Sequence, residues 1–483
     1  MKDDKLYFSS DGYDFLETYT KALYGTRGTF RHNLERYLTG EEFCSACREP
    51  RSIDDIPELS FPDILRQIER EEYFKKLCAN VLDIYTRGQQ NGTLKREDDY
   101  ELAGIMGLCP GHCDWHETLF PHLVDLFVTS EEEGQDLLRS IEAQPNIVST
   151  MVSVMSSGLR QGQIINYFGR NMWSQGYARN YFRGENAYNV HTRPSLFRDM
   201  PTDADERELY RIIGYLRIVE FSLWLCELPF VRDWPFGDVF HGAIAQHYGI
   251  PTNGIDITSD LKTALFFACC CYDDGQWRPL SPHEYEDTNS RVGVAKRGGD
   301  SRFGILFCAP ADVANMSRMA GLANLRVTGV TPIGFQPFIR CSNQSGYMIE
   351  AGEPYDLYLD RSFSKFKFRH TPEICQWIFE EMEGGRRVYP KEMFGTCEDI
   401  VATIKESNQF TEQAFTIVVS RLGLQGREKE IRSKLAVNGY SICSAVEICS
   451  EERKSELTKK YFEAYSQHEY SRAPAFTQIR FSI

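Results

Sequence analysis

FHGAIAQHYGIPTNGIDITSDLKTALFFACCCY, Phe240 to Tyr272, is the stretch whose reading decides the fold. Apolar residues at helical spacing lead into Gln246-His247-Tyr248-Gly249. Pro251, Asn253 and Gly254 then punctuate, Ile255-Asp256-Ile257 reads as a short strand, and Thr258 or Ser259 is placed to cap the helix that follows. The pattern predicts a helix–turn–strand–helix unit with polar side chains at its joints. Groups so placed are held by rigid elements yet stay accessible, which suits a binding or catalytic site.

The chain around this unit has 483 residues, 42% of them hydrophobic and 13% aromatic, enough to build packed cores. Its length corresponds to about three domains. The opening MKDDKLYFSSDGYDF is charged from its start and lacks a signal-peptide layout, and no apolar run of about 18 residues occurs. These features read as a soluble, cytoplasmic protein without a membrane partner. The 15 cysteines are spread along the chain and read as reduced thiols, not as a disulfide framework. A formal charge of −15 disfavours general affinity for nucleic acid or anionic membrane. A phosphate-bearing small molecule then needs a specific arginine rather than a field.

Residues 1–170 read as helix. Leu65, Ile68, Phe74, Leu77, Val81 and Ile84 recur at helical spacing between Ile64 and Tyr85, and Glu131 to Glu133 occupy a favourable first turn of a helix over Ser130 to Ser157. Cys44-x-x-Cys47 and the cluster Cys109, His112, Cys113, His116 contain enough ligand types for zinc. The long separation and irregular second cluster favour buried or scattered thiols instead, so no metal is assigned. Residues 396–483 are again helical, with Ile400, Ile404, Phe415, Val418, Val419 and Leu422 on packed faces. Ser420 to Arg427, SRLGLQGR, invites comparison with a helix-turn-helix DNA reader, but its basic content is slight.

From Ile164 the texture turns aromatic and arginine-rich. Tyr177 to Arg183 is expected as a strand that delivers Arg183 just before Gly184. A guanidinium offers a planar fork to phosphate or ribose oxygens, and glycine lets a ligand approach the backbone. The competing reading is an arginine in a structural ion pair or stacked on Tyr181. Asp203 to Leu228 reads as a strong helix and Gly304 to Cys308 as an apolar strand. The polar span from Asp273 to Arg302 reads as disordered or as a lid; within it Lys296-Arg297-Gly298-Gly299 lacks the trailing residues of a P-loop.

Several separate motifs then fall in order: Phe182-Arg183-Gly184; Pro194-Ser195-Leu196-Phe197-Arg198; Gln246-His247-Tyr248-Gly249-x-Pro251-Thr252; Asp256-x-Thr258; and Ala264-Leu265-Phe266-Phe267-Ala268. Together they resemble the FRG domain, a family named for the first of them. The resemblance continues through Arg340 and Gln344-Ser345-Gly346-Tyr347 and covers about Trp173 to Phe394. It departs where the family usually reads Arg-Leu-Leu-Asp-Trp-Thr and this chain reads Asn253-Gly254-Ile255-Asp256-Ile257-Thr258. The expected organisation is an α+β FRG domain over 171–395 between helical regions at 1–170 and 396–483.

At motif level the FRG pattern is similar to ADP-ribosyltransferases, and that resemblance implies a split pair of small antiparallel sheets gripping NAD. By the same implication Arg183, beside Gly184, holds ribose or phosphate, Thr258 and Ser259 order the nicotinamide cleft, and Tyr248 stacks on the ring. Cleaving the nicotinamide–ribose bond develops oxocarbenium character that a late amide or carboxylate steadies, with Gln344 and Glu350 as candidates. Glu350 qualifies if it shares a strand face with Gln344. His247 is the alternative general base, and Asp256 reads as a structural cap. Three classes remain open: an NAD-consuming transferase or glycohydrolase acting as a toxin or defence effector, with protein, nucleic acid or water as acceptor; a non-catalytic nucleotide sensor; and a metal-dependent hydrolase using His241, His247 and Asp256.

Overall fold

The computed structural model describes residues 50–91, 131–143, 163–167, 170–174, 180–234, 239–286, 299–310, 314, 330–333, 336–353, 355–390 and 397–467. Six strands form the central sheet: β1 Asn180–Glu185, β2 Gly254–Thr258, β3 Phe303–Pro310, β4 Val330–Pro332, β5 Gly346–Glu350 and β6 Ser364–Arg369. They lie in the order β6-β3-β1-β2-β5-β4, every neighbour antiparallel.

The seams of this sheet are unequal. β1 and β3 pair over six residues, Asn180↔Pro310 to Glu185↔Ile305, and β2 pairs with β5 over five, Gly254↔Glu350 to Thr258↔Gly346. Between β1 and β2 only Phe182↔Thr258 is in register. The sheet is therefore two three-stranded halves that touch at one residue pair and part beyond it. Where the ladder should continue, the Arg183 Nη1 donates to the Asp256 carbonyl at 2.7 Å, so a side chain spans the gap that backbone bonds leave open.

Both faces of the sheet are covered, as strand alternation requires. Phe182, Leu306 and Phe368 share one core with three helices. These are α1, Phe61–Gln90, which brings Ile64 and Ile68, and two later helices introduced below. Tyr181, Ile305 and Phe307 point to the opposite core, closed by Tyr355, Leu357, Tyr358 and Phe363.

Helix α2 is Glu131–Ala143, within the span expected from its acidic first turn. Helix α3, Ala204–Glu227, starts where Asp203 accepts from the amides of Asp205 and Glu206. Helix α4 is His241–His247 and α5 is Leu261–Cys269. Helix α6, Pro372–Glu381, is capped by Thr371; α5 and α6 bring Ala264, Leu265, Ile374 and Ile378 to the Phe182 core.

Three expectations are corrected. The region read as all-helical at 1–170 ends in a strand, since Gln163–Tyr167 pairs antiparallel with Arg170–Ser174. The tail is not all-helical either: besides α7 Glu398–Glu406, α8 Glu412–Arg421, α9 Glu428–Val437 and α10 Glu451–Gln467, it holds a parallel pair, Gln409–Thr411 with Ser441–Cys443. The fully buried Phe410 pins that pair to the core that α7 and α8 share with Phe221 and Trp224 of α3. The span after Asp273 begins as ordered structure, a hairpin of Cys270–Asp273 with Gln276–Pro279 turning at Asp274-Gly275. Both turn residues have positive φ, 48° and 79°, the geometry that Asp-Gly favours in two-residue hairpin loops. Lys296, Arg297 and Gly298 lie outside the described residues. No described helix is long and apolar enough to cross a membrane.

Candidate active site

The parting of the sheet opens a cleft of about 1160 Å³. Arg183, Gly184 and Glu185 of β1 form one side, Asp256 to Thr258 of β2 the other, and Thr263 and Ala264 of α5 also line it, with His247 and Gln344. The sequence motifs converge here because they tie one another down. The Thr252 amide donates to Ser195 Oγ at 2.9 Å, the Leu196 amide donates to the Thr252 carbonyl at 2.9 Å, and the Thr252 hydroxyl donates to Gln246 Oε1. Gly249 turns the chain at φ +88° immediately after Tyr248.

Arg183 is positioned from two sides. Its Nε donates to Glu185 Oε1 at 3.0 Å and its Nη1 to the Asp256 carbonyl, while Nη2 has no partner among the described residues. Glu185, only 10% exposed, is held in turn by the Thr192 hydroxyl at 2.9 Å. The ion-pair reading is thus realised: the pair with Glu185 aims the fork, and one nitrogen is left without a partner among the described residues. Gly184 packs against the Ala264 carbonyl oxygen, where no Cβ fits.

His247 and Asp256 form the reactive-looking couple of the cleft. His247 Nε2 and Asp256 Oδ1 are both shut off from solvent without a hydrogen-bond partner among the described residues. Burial holds the imidazole below the usual histidine range; the Asp256 carboxylate pulls it upward and the Arg340 guanidinium pushes it down. A neutral imidazole with an unshared nitrogen is equipped to accept a proton. Asp256 is not the cap that its sequence position suggested. Nor does Thr258 or Ser259 cap α5: Asp260 does, accepting from the Thr263 amide and hydroxyl at 2.9 and 2.7 Å.

The remaining expected residues divide. Thr258 lines the cleft, but its hydroxyl donates to the Gln344 carbonyl at 2.7 Å and accepts from the Asp260 amide at 2.9 Å, so it fastens β2 to the start of β5. Gln344 also lines the cleft, with its Nε2 given to the Val388 carbonyl at 2.9 Å. The Ser259 amide donates to the Ser345 carbonyl at 3.2 Å, and Tyr248 packs on Phe338 and on the buried Arg340 guanidinium, 4.3 Å above its ring. Neither Ser259 nor Tyr248 lines the cleft. Glu350, at the far end of β5, lines a different cavity and is not brought to Gln344. Ser345, at φ +46°, turns the chain between Gln344 and the strand, so the two-residue alternation does not run from one to the other.

Two groups at the cleft escaped the sequence reading. Glu185 sits two residues beyond Arg183, and His191 lines the rim with its Nδ1 2.6 Å from the buried Asp356 carboxylate. Only the NAYNVHTR texture hinted at His191; Asp356 lies 165 positions away and carried no signal. For the metal reading, His241 Nε2 lies 3.4 Å from the Cys226 thiol, and no three His, Cys, Asp or Glu side chains cluster for a metal among the described residues. Cys44, Cys47, Cys109 and Cys113 lie outside the described residues.

Acid should weaken the fold through two buried rings. His370 places Nδ1 at 2.8 Å from the Ser301 carbonyl and Nε2 at 2.7 Å from the Ala268 carbonyl, and burial holds it, like His247, below its ordinary value of 6.5 despite the upward pull of those carbonyls. The folded chain keeps both rings neutral at a pH where the unfolded chain protonates them. The unfolded state then binds more protons, and stability falls as pH drops below about 6.5. The melting midpoint should decline from about pH 7.5 to about pH 5.5, and less steeply in His370→Gln. An unchanged slope in that variant would remove His370 from the account.

Fold and cleft define an α+β protein with a ligand-sized cavity in a divided antiparallel sheet. Residues 178–276 match the FRG domain family, so the chain carries an FRG domain. That match spans β1, α3, α4, β2, α5 and the hairpin as far as Gln276. No curated protein matches the chain, and no solved structure matches it.

Proposed function

We propose that the cleft binds NAD and that the chain cleaves its nicotinamide–ribose bond, as an ADP-ribosyltransferase or NAD glycohydrolase. The observation that carries this reading is the parting of the sheet at Arg183, which leaves Nη2 of a fixed guanidinium unpartnered in a cleft that also holds an unpartnered imidazole nitrogen. The volume, about 1160 Å³, accommodates a dinucleotide.

In this reading Arg183 takes a phosphate or ribose oxygen. The C–N bond breaks with its electron pair leaving on nicotinamide, and the ribose carbon gains oxocarbenium character. Water or another acceptor supplies the new bond and loses its proton to His247 Nε2, which ligand entry must uncover because it is closed to solvent, with Asp256 steadying the resulting imidazolium. Gln344 is a positioning residue here, since its amide is committed to Val388. Which acceptor enters decides between transfer and hydrolysis.

The test is nicotinamide release from NAD by the purified chain. His247→Gln should slow release about 10²-fold while NAD affinity changes little. A second reading, a nucleotide sensor without catalysis, is favoured by one observation: Glu350 stands in another cavity and brings no late carboxylate to the cleft. Saturable NAD binding with no release in the wild type selects that reading; absence of both binding and release rejects NAD.

A further inference from the structure

A second cavity, of about 870 Å³, lies beside the cleft and has the opposite charge character to the chain as a whole. Its walls are the segment 193–202, the first half of α3, the end of β5 and the C-terminus of α8. Arg193, Arg198, Arg207, Arg211 and Arg421 converge on it, against the carboxylates of Glu350 and Glu353. A protein with a formal charge of −15 has thus gathered a local positive excess from three separate segments.

The arginines are not equally committed. Arg207 is ion-paired with Glu353, and Arg193 Nε stands 3.8 Å from the Asp356 carboxylate. Arg211 has no ion-pair or hydrogen-bond partner among the described residues, although its Nε is closed to solvent. Arg421 lies 5.3 Å from the Tyr215 ring and meets no carboxylate within ion-pair distance among the described residues. A guanidinium nitrogen buried without an acceptor is costly, and an oxyanion is the group that offsets that cost. Like-charged guanidinium groups facing one cavity repel one another until an anion joins them.

We infer that this cavity is a binding site for a small molecule carrying two or more phosphates, separate from the cleft that Arg183 serves. Bidentate guanidinium–phosphate pairing explains why the site is built from arginine, with no lysine among its lining residues. Its volume exceeds the needs of a single phosphate, and Phe197, Met200 and Tyr215 supply an apolar wall for an attached base or ring. Arg193 and Arg198 line both cavities, and Arg198 Nε donates to the Arg193 carbonyl at 3.0 Å, so the sites share a wall.

The inference is tested by calorimetric titration of the full chain with tripolyphosphate and, separately, with ATP, at one ionic strength. Saturable binding is expected, weakened at least about tenfold in Arg211→Gln and in Arg421→Gln, and this component should survive in Arg183→Ala. Arg421 is exposed at a helix end, so Arg421→Gln stays informative if Arg211→Gln fails to fold. No saturable binding of either probe overturns the inference. So does binding that is lost in Arg183→Ala and retained in both other variants.

Discussion

Arg183→Ala is expected to lower nicotinamide release by about 10³-fold, the scale of losing a charged hydrogen-bond donor aimed at developing charge. The variant removes two bonds at once, the Nε bond to Glu185 and the Nη1 bond across the gap to Asp256, together with the unpartnered Nη2. Glu185 keeps the Thr192 hydroxyl, so the carboxylate is not wholly abandoned, and its partner was already 18% exposed. The stability cost should therefore sit near about 1–3 kcal/mol and leave a folded protein. Arg183→Lys separates the two roles. Lysine keeps the charge but cannot serve Glu185, the Asp256 carbonyl and a ligand through a planar fork. Most of the folding stability should return in Arg183→Lys, while most of the activity should not. Release that persists in Arg183→Ala, in a variant whose melting curve is intact, would remove Arg183 from the substrate and return it to the ion-pair reading.

What the sequence disclosed follows the range of the interactions involved. Helix α3 was legible to within a residue because its cap, Asp203, and its apolar spacing are local. β3 was legible as a short apolar run, and the hairpin at Asp274-Gly275 carried a turn signal that the polar composition around it concealed. The cap of α5 was not legible: the sequence points to Thr258 or Ser259, whereas Asp260 takes the role by accepting from the Thr263 amide and hydroxyl. The division of the sheet was not legible from periodicity, because nothing local tells β1 that its ladder with β2 stops after Phe182. Partners distant in sequence decided most of the site. Val388 takes the Gln344 amide, Arg340 stacks on Tyr248, and Asp356 orients His191. Each of these pairings converts a residue's chemical type into a particular task, and periodicity has no access to them. The one long-range expectation drawn from alternation, Glu350 beside Gln344, failed because the positive φ of Ser345 interrupts the strand geometry on which it depended.

The second large effect concerns Gly184, whose neighbourhood shows why a glycine follows the arginine. Its residue space is filled by backbone: a Cβ would overlap the Ala264 carbonyl oxygen and stand 3.0 Å from the Ala268 Cβ. Helix α5 lies on β1 at this point, and Ala264 and Ala268 are fully buried there, so neither surface has a side-chain terminus that can swing aside. Relief requires separating the helix from the strand, which unpacks Phe182, Leu265 and Phe266 from their shared core. Gly184→Ala is therefore expected to cost at least about 3 kcal/mol, the upper end for overpacking, because backbone rather than a flexible side chain must move. The same substitution at Gly249 makes a useful contrast: open space surrounds a Cβ there, and the penalty comes only from φ at +88°. Denaturant unfolding of both variants measures the difference. If Gly184→Ala unfolds at the wild-type midpoint, the close approach of α5 to β1 is wrong, and with it the floor of the cleft. If it is destabilised as expected but retains cleft binding while folded, the glycine serves packing alone. Loss of both, beyond what partial unfolding explains, would show that the helix–strand spacing sets the position of the Arg183 fork.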